Sequence, residues 1–404
     1  MIRFLTAGES HGQALVVVLD GVPAGLPLSA ADIDRDLARR QLGYGRGRRM
    51  AIEQDRVELL SGVRRGQTMG SPLTLLVRNR DWVNWQFTMS VDALPDASLP
   101  GARREPVTRP RPGHADLSGA LKHQRDDLRD ILERASARET AARVAAGAVA
   151  RALLRAIGVQ VASHVTAIGG AAIADALGYT FDTVAALADD DSVRCVDPAV
   201  GAAMRAAVDA AREQGDTVGG AFEVIAHGVP AGLGSHAQWD RKLDGLLAQA
   251  LMSIQAIKAV GIGRGPEVGR LPGSQVHDEI LLAAGPSTGT LPGLRRPTNR
   301  AGGIEGGITN GEDLRVTGWM KPISTLMTPL HSVDLATMRE EPATIERSDV
   351  CAVPAAAVVG EAMVCLVLAN AAIEKFGGDS LEEFTRAARE WHARLRERLA
   401  KADD

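Results

Sequence analysis

A chain of 404 residues, 45% hydrophobic and 24% charged, can bury a large core, and its length suggests two or three domains. A formal net charge of −4 gives no whole-chain attraction to nucleic acid or an anionic membrane, and 3% aromatics offer no stacking platform for single-stranded bases. The three cysteines (Cys195, Cys351, Cys365) form neither a C-x-x-C pair nor a metal-ligand spacing, which suits buried thiols in a reducing cytoplasm and predicts no metal site.

The first predicted elements are a short apolar strand (Ile2, Phe4, Leu5) and a β-branched strand, Ala14–Leu19, joined by T-A-G-E-S-H-G at Thr6–Gly12. The spacing Gly8-x-Ser10-x-Gly12 matches the nucleophile elbow of serine hydrolases, which requires a helix after the turn. A strand is expected here instead, so two readings stand: Ser10 as nucleophile, or His11 as an acid or base near neutral pH. No signal peptide opens the chain.

Ser29, with Asp32 three residues on, predicts a capped helix whose apolar face is Ile33 and Leu37 and which carries Arg35, Arg39 and Arg40. Gly43 ends it, and Gly43–Arg49 (G-Y-G-R-G-R-R) reads as a flexible basic loop. Five arginines between positions 39 and 49 suit an anion, because guanidinium forks hold phosphate or carboxylate bidentately. Strands and turns alternate over 57–77. Residues 80–105, with Trp82 and Trp85, read as a long loop or flap. Thr108–Asp116 is fixed by two prolines and a glycine and places Arg109, Arg111, His114 and Asp116 on a rigid, non-helical segment.

Ser136-Ala-Arg-Glu139 reads as a capping box heading a helix to about Ile157, and its N-terminus beside Arg134 and Arg138 is an anion site in waiting. A strand is expected at Val159–Ala167 and an amphipathic helix at Pro198–Gln214. Gly228–Leu233 repeats Gly21–Leu26 letter for letter (G-V-P-A-G-L), each copy after a strand and before a helix. This predicts two halves, roughly 1–157 and 215–378, built from one β-β-α unit about a pseudo-twofold within a single domain spanning 1–404. The second helix is expected from Asp240 to about Val260, the glycine-dense Asn299–Gly311 is suited to close backbone contact with a ligand, and Lys321–Thr325 brings one cation and two hydroxyls. Val353–Ile373 approaches membrane-span length but carries Glu361 near its middle, so a buried core helix is expected. The last helix, in the segment 379–404, reads as solvated.

Taken together, the residues favour an enzyme using histidine acid–base chemistry on a small, multiply anionic substrate, with no Walker loop and no G-x-G-x-x-G fingerprint. The blocks GESHG (8–12), RPGHAD (111–116), SARETAARVAAGAVA (136–150), GGIEGGITNG (302–311), KPIST (321–325) and RSDVCAVPAA (347–356) stand in one order, and in them the chain resembles the chorismate synthase family nearly throughout. The resemblance implies an α+β fold, a β-α-β sandwich with long helices between two antiparallel sheets, assembled as a homotetramer. It implies a 1,4-anti elimination of phosphate from 5-enolpyruvylshikimate 3-phosphate to give chorismate, in the shikimate pathway of aromatic amino acid biosynthesis in the cytoplasm. Reduced FMN is required without net redox change, and its N5 would take the C6 hydrogen.

By the same likeness His11 protonates the departing phosphate, His114 protonates reduced FMN near N1, and Asp349 assists at N5. Arg40, Arg46 and Arg138 clamp the substrate with Ser10 nearby and Arg347 alongside. FMN lies against Arg134, Ala135, Ser136, Gln255, Ala256, Gly306, Lys321, Pro322, Ile323, Ser324, Thr325 and Arg347. Many members carry Gly-Gly before Arg-Ser-Ser where this chain has Leu132-Glu133-Arg134-Ala135-Ser136, so the contact at Ala135 is through backbone or absent. Lys122-His123-Gln124 stands for a frequent Lys-Tyr-Gly, with His123 read as a surface residue. The family has members with and without a flavin reductase activity; no added domain is visible, which points to an external reductant, a flavin reductase partner or NADPH as the source of reducing equivalents.

Overall fold

The computed structural model describes residues 1–47, 54–93, 106–283, 289–346 and 349–399. Arg48 and Arg49 of the basic loop, part of the 80–105 segment, and Arg347 lie outside them. The fold is α+β.

The first sheet is made of β1 (Arg3–Ala7), β2 (Ala14–Asp20), β3 (Val57–Ser61) and β6 (Leu73–Arg78), in the order β1-β2-β6-β3 and antiparallel throughout. Between β3 and β6 a small hairpin pairs β4 (Val63–Arg64) with β5 (Gln67–Thr68). Alternation sets the burial: Leu15, Val17 and Leu19 are buried while Val18 faces outward. The helix α1 (Ala30–Gln41) begins as its sequence signals, with Ser29 and Asp32 in a reciprocal capping box. Ile33 and Leu37 are buried as expected, but so are Arg39 and Arg40, which the sequence left on the outer face.

Next come α2 (Asp116–His123) and α3 (Arg129–Ala135), then α4 (Thr140–Arg155). The rigid segment is non-helical only as far as Ala115; Asp116 opens α2. The expected capping box at the head of α4 is not formed. Ser136 caps a 3-10 turn (Ala137–Glu139) by accepting from the Arg138 N–H, but Glu139 turns to Thr6, Arg143 and Gln255, whose donors outcompete a return to the backbone.

The second sheet holds β7 (Gln160–Ile168), β8 (Ala171–Ala172), β9 (Gly220–His227), β10 (Ile257–Ile262) and β15 (Leu314–Met320), in the order β10-β15-β9-β7-β8. The loops between them carry α5 (Phe181–Ala185), α6 (Pro198–Glu213), α7 (Leu243–Met252) and two two-stranded ladders, β11 (Leu281–Leu282) with β12 (Leu294–Arg295) and β13 (Ile304–Glu305) with β14 (Ile308–Thr309); a third, β16 (His331–Asp334) with β17 (Arg339–Pro342), follows β15. The helix expected from Asp240 to Val260 is therefore corrected. It stops at Met252, Ala256 takes a positive φ of 66°, and the β-branched Ile257–Ile262 pairs with β15. An Ala- and Leu-rich lead-in carried the helical reading too far.

The core helix is α8 (Val353–Phe376), long and apolar enough to cross a membrane by composition, with 89% of its most apolar window buried inside the fold. It packs on β7 and β9, while α4 packs on β2 and β6 and against α8. A Cβ at Gly147 of α4 would fall 2.3 Å from the Cβ of Ala362, so only glycine allows this helix crossing. Each fully buried Val or Leu on these faces contributes about 1.5–3 kcal/mol of transfer free energy. Four elements converge on Glu361 inside this layer. Arg39 donates to both its carboxylate oxygens (2.7 and 2.8 Å), Arg151 and Ser163 donate at 2.5 Å each, and Arg194 lies 3.7 Å away. The final helix α9 (Leu381–Leu399) is mostly exposed, as expected, but docks through buried Phe384 and Ala388, and its Trp391 Nε1–H donates to the Ala231 carbonyl.

Candidate active site

The Glu9–Gly12 turn joins β1 to β2, so the strand–turn–helix context of a hydrolase elbow is absent. Gly8 has φ 102°, and a Cβ there would meet the Ala14 carbonyl oxygen at 2.2 Å. Asn79, at the end of β6, pins the turn: its Nδ2 donates to the Glu9 and Gly12 carbonyls, and its N–H to that of Gln13. Ser10 is buried, and Ser136 Oγ donates to its Oγ at 3.1 Å.

His11 is held on three sides. Its backbone N–H donates to Glu133 Oε2 (2.8 Å), its Nδ1 lies 2.9 and 3.0 Å from the two Glu133 oxygens, and its ring stacks on Trp85 with centroids 3.8 Å apart. Trp85 is fixed in turn by Asp81, which accepts from its Nε1–H at 3.0 Å. The start of the segment read as an open flap is thus a 3-10 turn (Arg80–Asn84) leading into a buried tryptophan. Burial pushes the Glu133 carboxyl up, but the hydrogen bonds from His11 pull it below its ordinary range.

Beside this turn, Arg40 and Arg138 share one buried carboxylate. Arg40 Nη2 donates to Asp55 Oδ2 at 2.7 Å and Arg138 Nη1 to Oδ1 at 2.5 Å, while Arg138 Nε donates to Asn79 Oδ1. Arg46 donates to Asp349 at 2.6 Å, and Asp349 also accepts from the Gly47 N–H. Burial and the neighbouring Arg138 and Arg46 guanidiniums pull Arg40 down to about 10, despite Asp55. It stays charged at neutral pH, and beside Arg46 and Arg138 it offers guanidinium donors of the kind a multiply anionic ligand requires.

A second cluster surrounds His114. Its Nδ1 lies 2.6 Å from Asp116 Oδ1, and Asp116 also accepts from Arg111 Nε (2.8 Å), Nη2 (3.1 Å) and the Arg111 backbone N–H (3.1 Å). Burial pushes the Asp116 carboxyl up, yet His114 and Arg111 hold it far below the carboxylate range. Arg111 Nη1 reaches Thr325 Oγ1 at 3.1 Å, and Lys321 donates from Nζ to the Gly113 carbonyl. Lys321–Thr325 thus lies against the His114 loop.

The two clusters are joined by Glu139, which takes the Thr6 hydroxyl at 2.8 Å and Gln255 Nε2 at 3.2 Å, and by the Ala256 carbonyl, which accepts from the Lys321 N–H. Arg134 is committed to the carbonyls of Gly8 and Thr6. Ala135, the last residue of α3, offers only backbone. Burial and the nearby Lys258 pull Lys321 below the ordinary lysine range, and neither lysine has a carboxylate partner among the described residues. With the Ser324, Thr325 and Ser136 hydroxyls, that donor set fits a phosphate-bearing cofactor. Gly306 is not brought in: it sits at the tip of the β13–β14 hairpin, whose contacts run to Gly234 and Leu243. Arg347 lies outside the described residues, and His123 is exposed as expected. The sequence reading passed over Asp55, Asn79 and the pairing role of Glu133. Only Glu133 left a signal, as a carboxylate where the resemblance implies glycine.

Two histidines each backed by a carboxylate, an arginine basin and a lysine–hydroxyl strand end define an acid–base enzyme for anionic substrates. Comparison with known proteins gives the particular family. The sequence matches the family model described as Chorismate synthase over residues 2–373. It is 55% identical over 387 residues to the chorismate synthase of Symbiobacterium thermophilum, covering 95% of this chain and 97% of that one. It is 56% identical over 381 residues to that of Moorella thermoacetica, covering 94% and 96%. A crystal structure of a chorismate synthase superposes with a TM-score of 0.77 at 41% identity, covering 98% of each chain. The chain belongs to the chorismate synthase family, and it is a lyase of the shikimate pathway in aromatic amino acid biosynthesis.

Proposed function

We propose that the basin around Glu9–Gly12 binds 5-enolpyruvylshikimate 3-phosphate and that the cluster around Lys321–Thr325 holds FMN. The observation that carries this reading is the convergence of buried Arg40 and Arg138 and half-buried Arg46 next to a clamped His11. Arg40, Arg46 and Arg138, with Arg347, hold phosphate and carboxylates, and Ser10 adds a hydrogen bond. As the C–O bond breaks, its electron pair stays on the phosphate oxygen, the arginines stabilise that charge, and His11 delivers a proton from Nε2. Reduced FMN supplies electron density that makes the 1,4-anti elimination accessible and an acceptor for the C6 hydrogen. Arg134, the Ala135 backbone, Ser136, Gln255, Ala256, Lys321, Pro322, Ile323, Ser324 and Thr325 hold it. His114 keeps a proton at the flavin's N1 side and Asp349 assists at N5. The hydrolase alternative on Ser10 loses its ground with the strand that follows the turn.

The chain reads as one domain, a sandwich of two sheets around α4 and α8, with two halves repeating one unit. Matching contacts in the two G-V-P-A-G-L copies support this. Thr68 accepts from Gly25 N–H on its carbonyl and Leu26 N–H on its hydroxyl (2.9 Å each), and that hydroxyl donates to Pro23. Thr309 does the same for Gly232 and Leu233 (2.8 Å each) and Pro230. The strand orders β1-β2-β6-β3 and β7-β9-β15-β10 also correspond, which draws the start of the second half back from 215 to Gln160. The family likeness also supports a cytoplasmic homotetramer, with NADPH or a flavin reductase supplying the reductant.

Anaerobic incubation with 5-enolpyruvylshikimate 3-phosphate and chemically reduced FMN is expected to release phosphate and chorismate together. Release of neither from folded protein refutes the assignment.

A further inference from the structure

Glu133 stands on α3, 122 positions along the chain from His11, yet its carboxylate meets both the backbone N–H and the ring Nδ1 of that residue. Its side chain is 1% exposed. A carboxylate so buried needs donors, and it finds them chiefly on one residue, the backbone N–H and ring Nδ1 of His11. The other cation present, Arg129, is more distant at 3.3 Å and is divided between Glu133, Glu346 (3.8 Å) and the face of Trp85 (5.2 Å). The carbonyl of Glu133 also accepts from the Ser10 N–H at 2.9 Å, so one residue grips both the turn and its imidazole.

We infer that Glu133 is a positioning residue for proton transfer: it fixes His11 in the form with hydrogen on Nδ1 and leaves Nε2 as the nitrogen that exchanges a proton with the leaving phosphate. An ionised carboxylate only accepts, so Nδ1 must donate to it. The proton that leaves is therefore the one on Nε2, and after transfer the neutral ring keeps its Nδ1 hydrogen on Glu133. Charge balances, since the imidazolium loses one proton and the phosphate oxygen gains it. Trp85 removes the remaining freedom: a ring stacked at 3.8 Å and 23° cannot turn over without breaking both the stack and the two-oxygen contact. The inference rests on the assignment of His11 as the proton donor above.

The test pairs kinetics with ring ¹⁵N NMR on the full-length protein loaded with reduced FMN, using wild type, Glu133→Gln, Glu133→Asp and His11→Ala. Glu133→Gln is expected to lower kcat for phosphate release by about 10- to 100-fold, less than the roughly 10²–10⁴-fold carried by a general acid itself, while KM and FMN affinity change less than about threefold. Glu133→Asp recovers part of that loss. In the wild type, the His11 signal, assigned by its absence in His11→Ala, is expected to show a protonated Nδ1 in the neutral ring. This NMR reading stands even where Glu133→Gln does not fold. A neutral ring protonated on Nε2 overturns the inference, as does an unchanged kcat in folded Glu133→Gln. Full turnover in His11→Ala instead overturns the role of His11 itself, so the two failures are distinguishable.

Discussion

His11 and His114 are built alike and loaded differently. Each presents Nδ1 to a carboxylate 1% exposed at its side chain. The carboxylate of His114 stands two residues away and is already satisfied by three Arg111 donors, so the imidazole is one partner among several. That of His11 comes from another helix, has one distant arginine, and is devoted to the histidine and its own backbone N–H. A carboxylate shared with a guanidinium anchors a loop. One held chiefly by an imidazole, with a longer 3.3 Å contact from Arg129, is suited to directing a proton. On the proposed assignment, the pair sets a histidine whose carboxylate is shared on the cofactor side against one whose carboxylate serves chiefly the imidazole on the substrate side.

The largest effect that could break this contrast is in the histidines themselves. His11→Ala is expected to lower phosphate release by about 10²–10⁴-fold with FMN binding retained. His114→Ala is expected to lower it less and to weaken FMN binding, read by flavin fluorescence titration. Equal kinetic losses with FMN binding untouched in both would erase the distinction.

Next in size are the carboxylates that hold arginines. Asp55→Ala leaves Arg40 and Arg138 without their shared partner, and Asp116→Ala does the same to Arg111. Each is expected to destabilise the fold by about 3–5 kcal/mol, seen in chemical denaturation. Added phosphate should restore part of the loss in Asp55→Ala, where it can take the place of the missing carboxylate between Arg40 and Arg138.

Acid should sharpen the comparison further. Asp55, Glu133 and Asp116 all have carboxyls held below their unfolded values, so their contribution to stability is full above about pH 4.5 and is lost as pH falls through the folded values. Thermal melts should fall below that pH, and Glu133→Gln should show a shallower fall than the wild type. The smallest expected change is Trp85→Phe, which keeps a stacked ring and loses the Asp81 hydrogen bond. A loss of about threefold in kcat with little change in melting temperature is expected, of the order of one modest hydrogen bond.

Much of this was legible in the sequence where the signal is local. The Ser29–Asp32 box, the Gly8–Gly12 corner, the strands around it and the basic segments all follow from residues within a few positions of one another. The misreadings came where local and distant partners compete. Glu139 has the spacing of a capping glutamate, but Thr6, Arg143 and Gln255 claim it. Leu243–Met252 continues into a helix-like composition, but β15 offers Ile257–Ile262 an open edge. Glu133 and Asp55 carry no motif at all, because their meaning depends on which histidine or arginine the fold brings alongside.

Glu361 has a consequence for the order in which the molecule can be completed. Arg39, Arg151 and Arg194 precede it in the chain and share its charge, and Ser163 gives it a hydrogen bond. Asp36 serves Arg39 and Arg151, but until α8 has been made no carboxylate joins all three guanidiniums. Once α8 enters, the convergence fixes both its height and its rotation: a slip of one turn would carry the carboxylate about 5.4 Å from its donors. The longest apolar helix among the described residues thus acts as a key cut with a single buried charged tooth, Glu361.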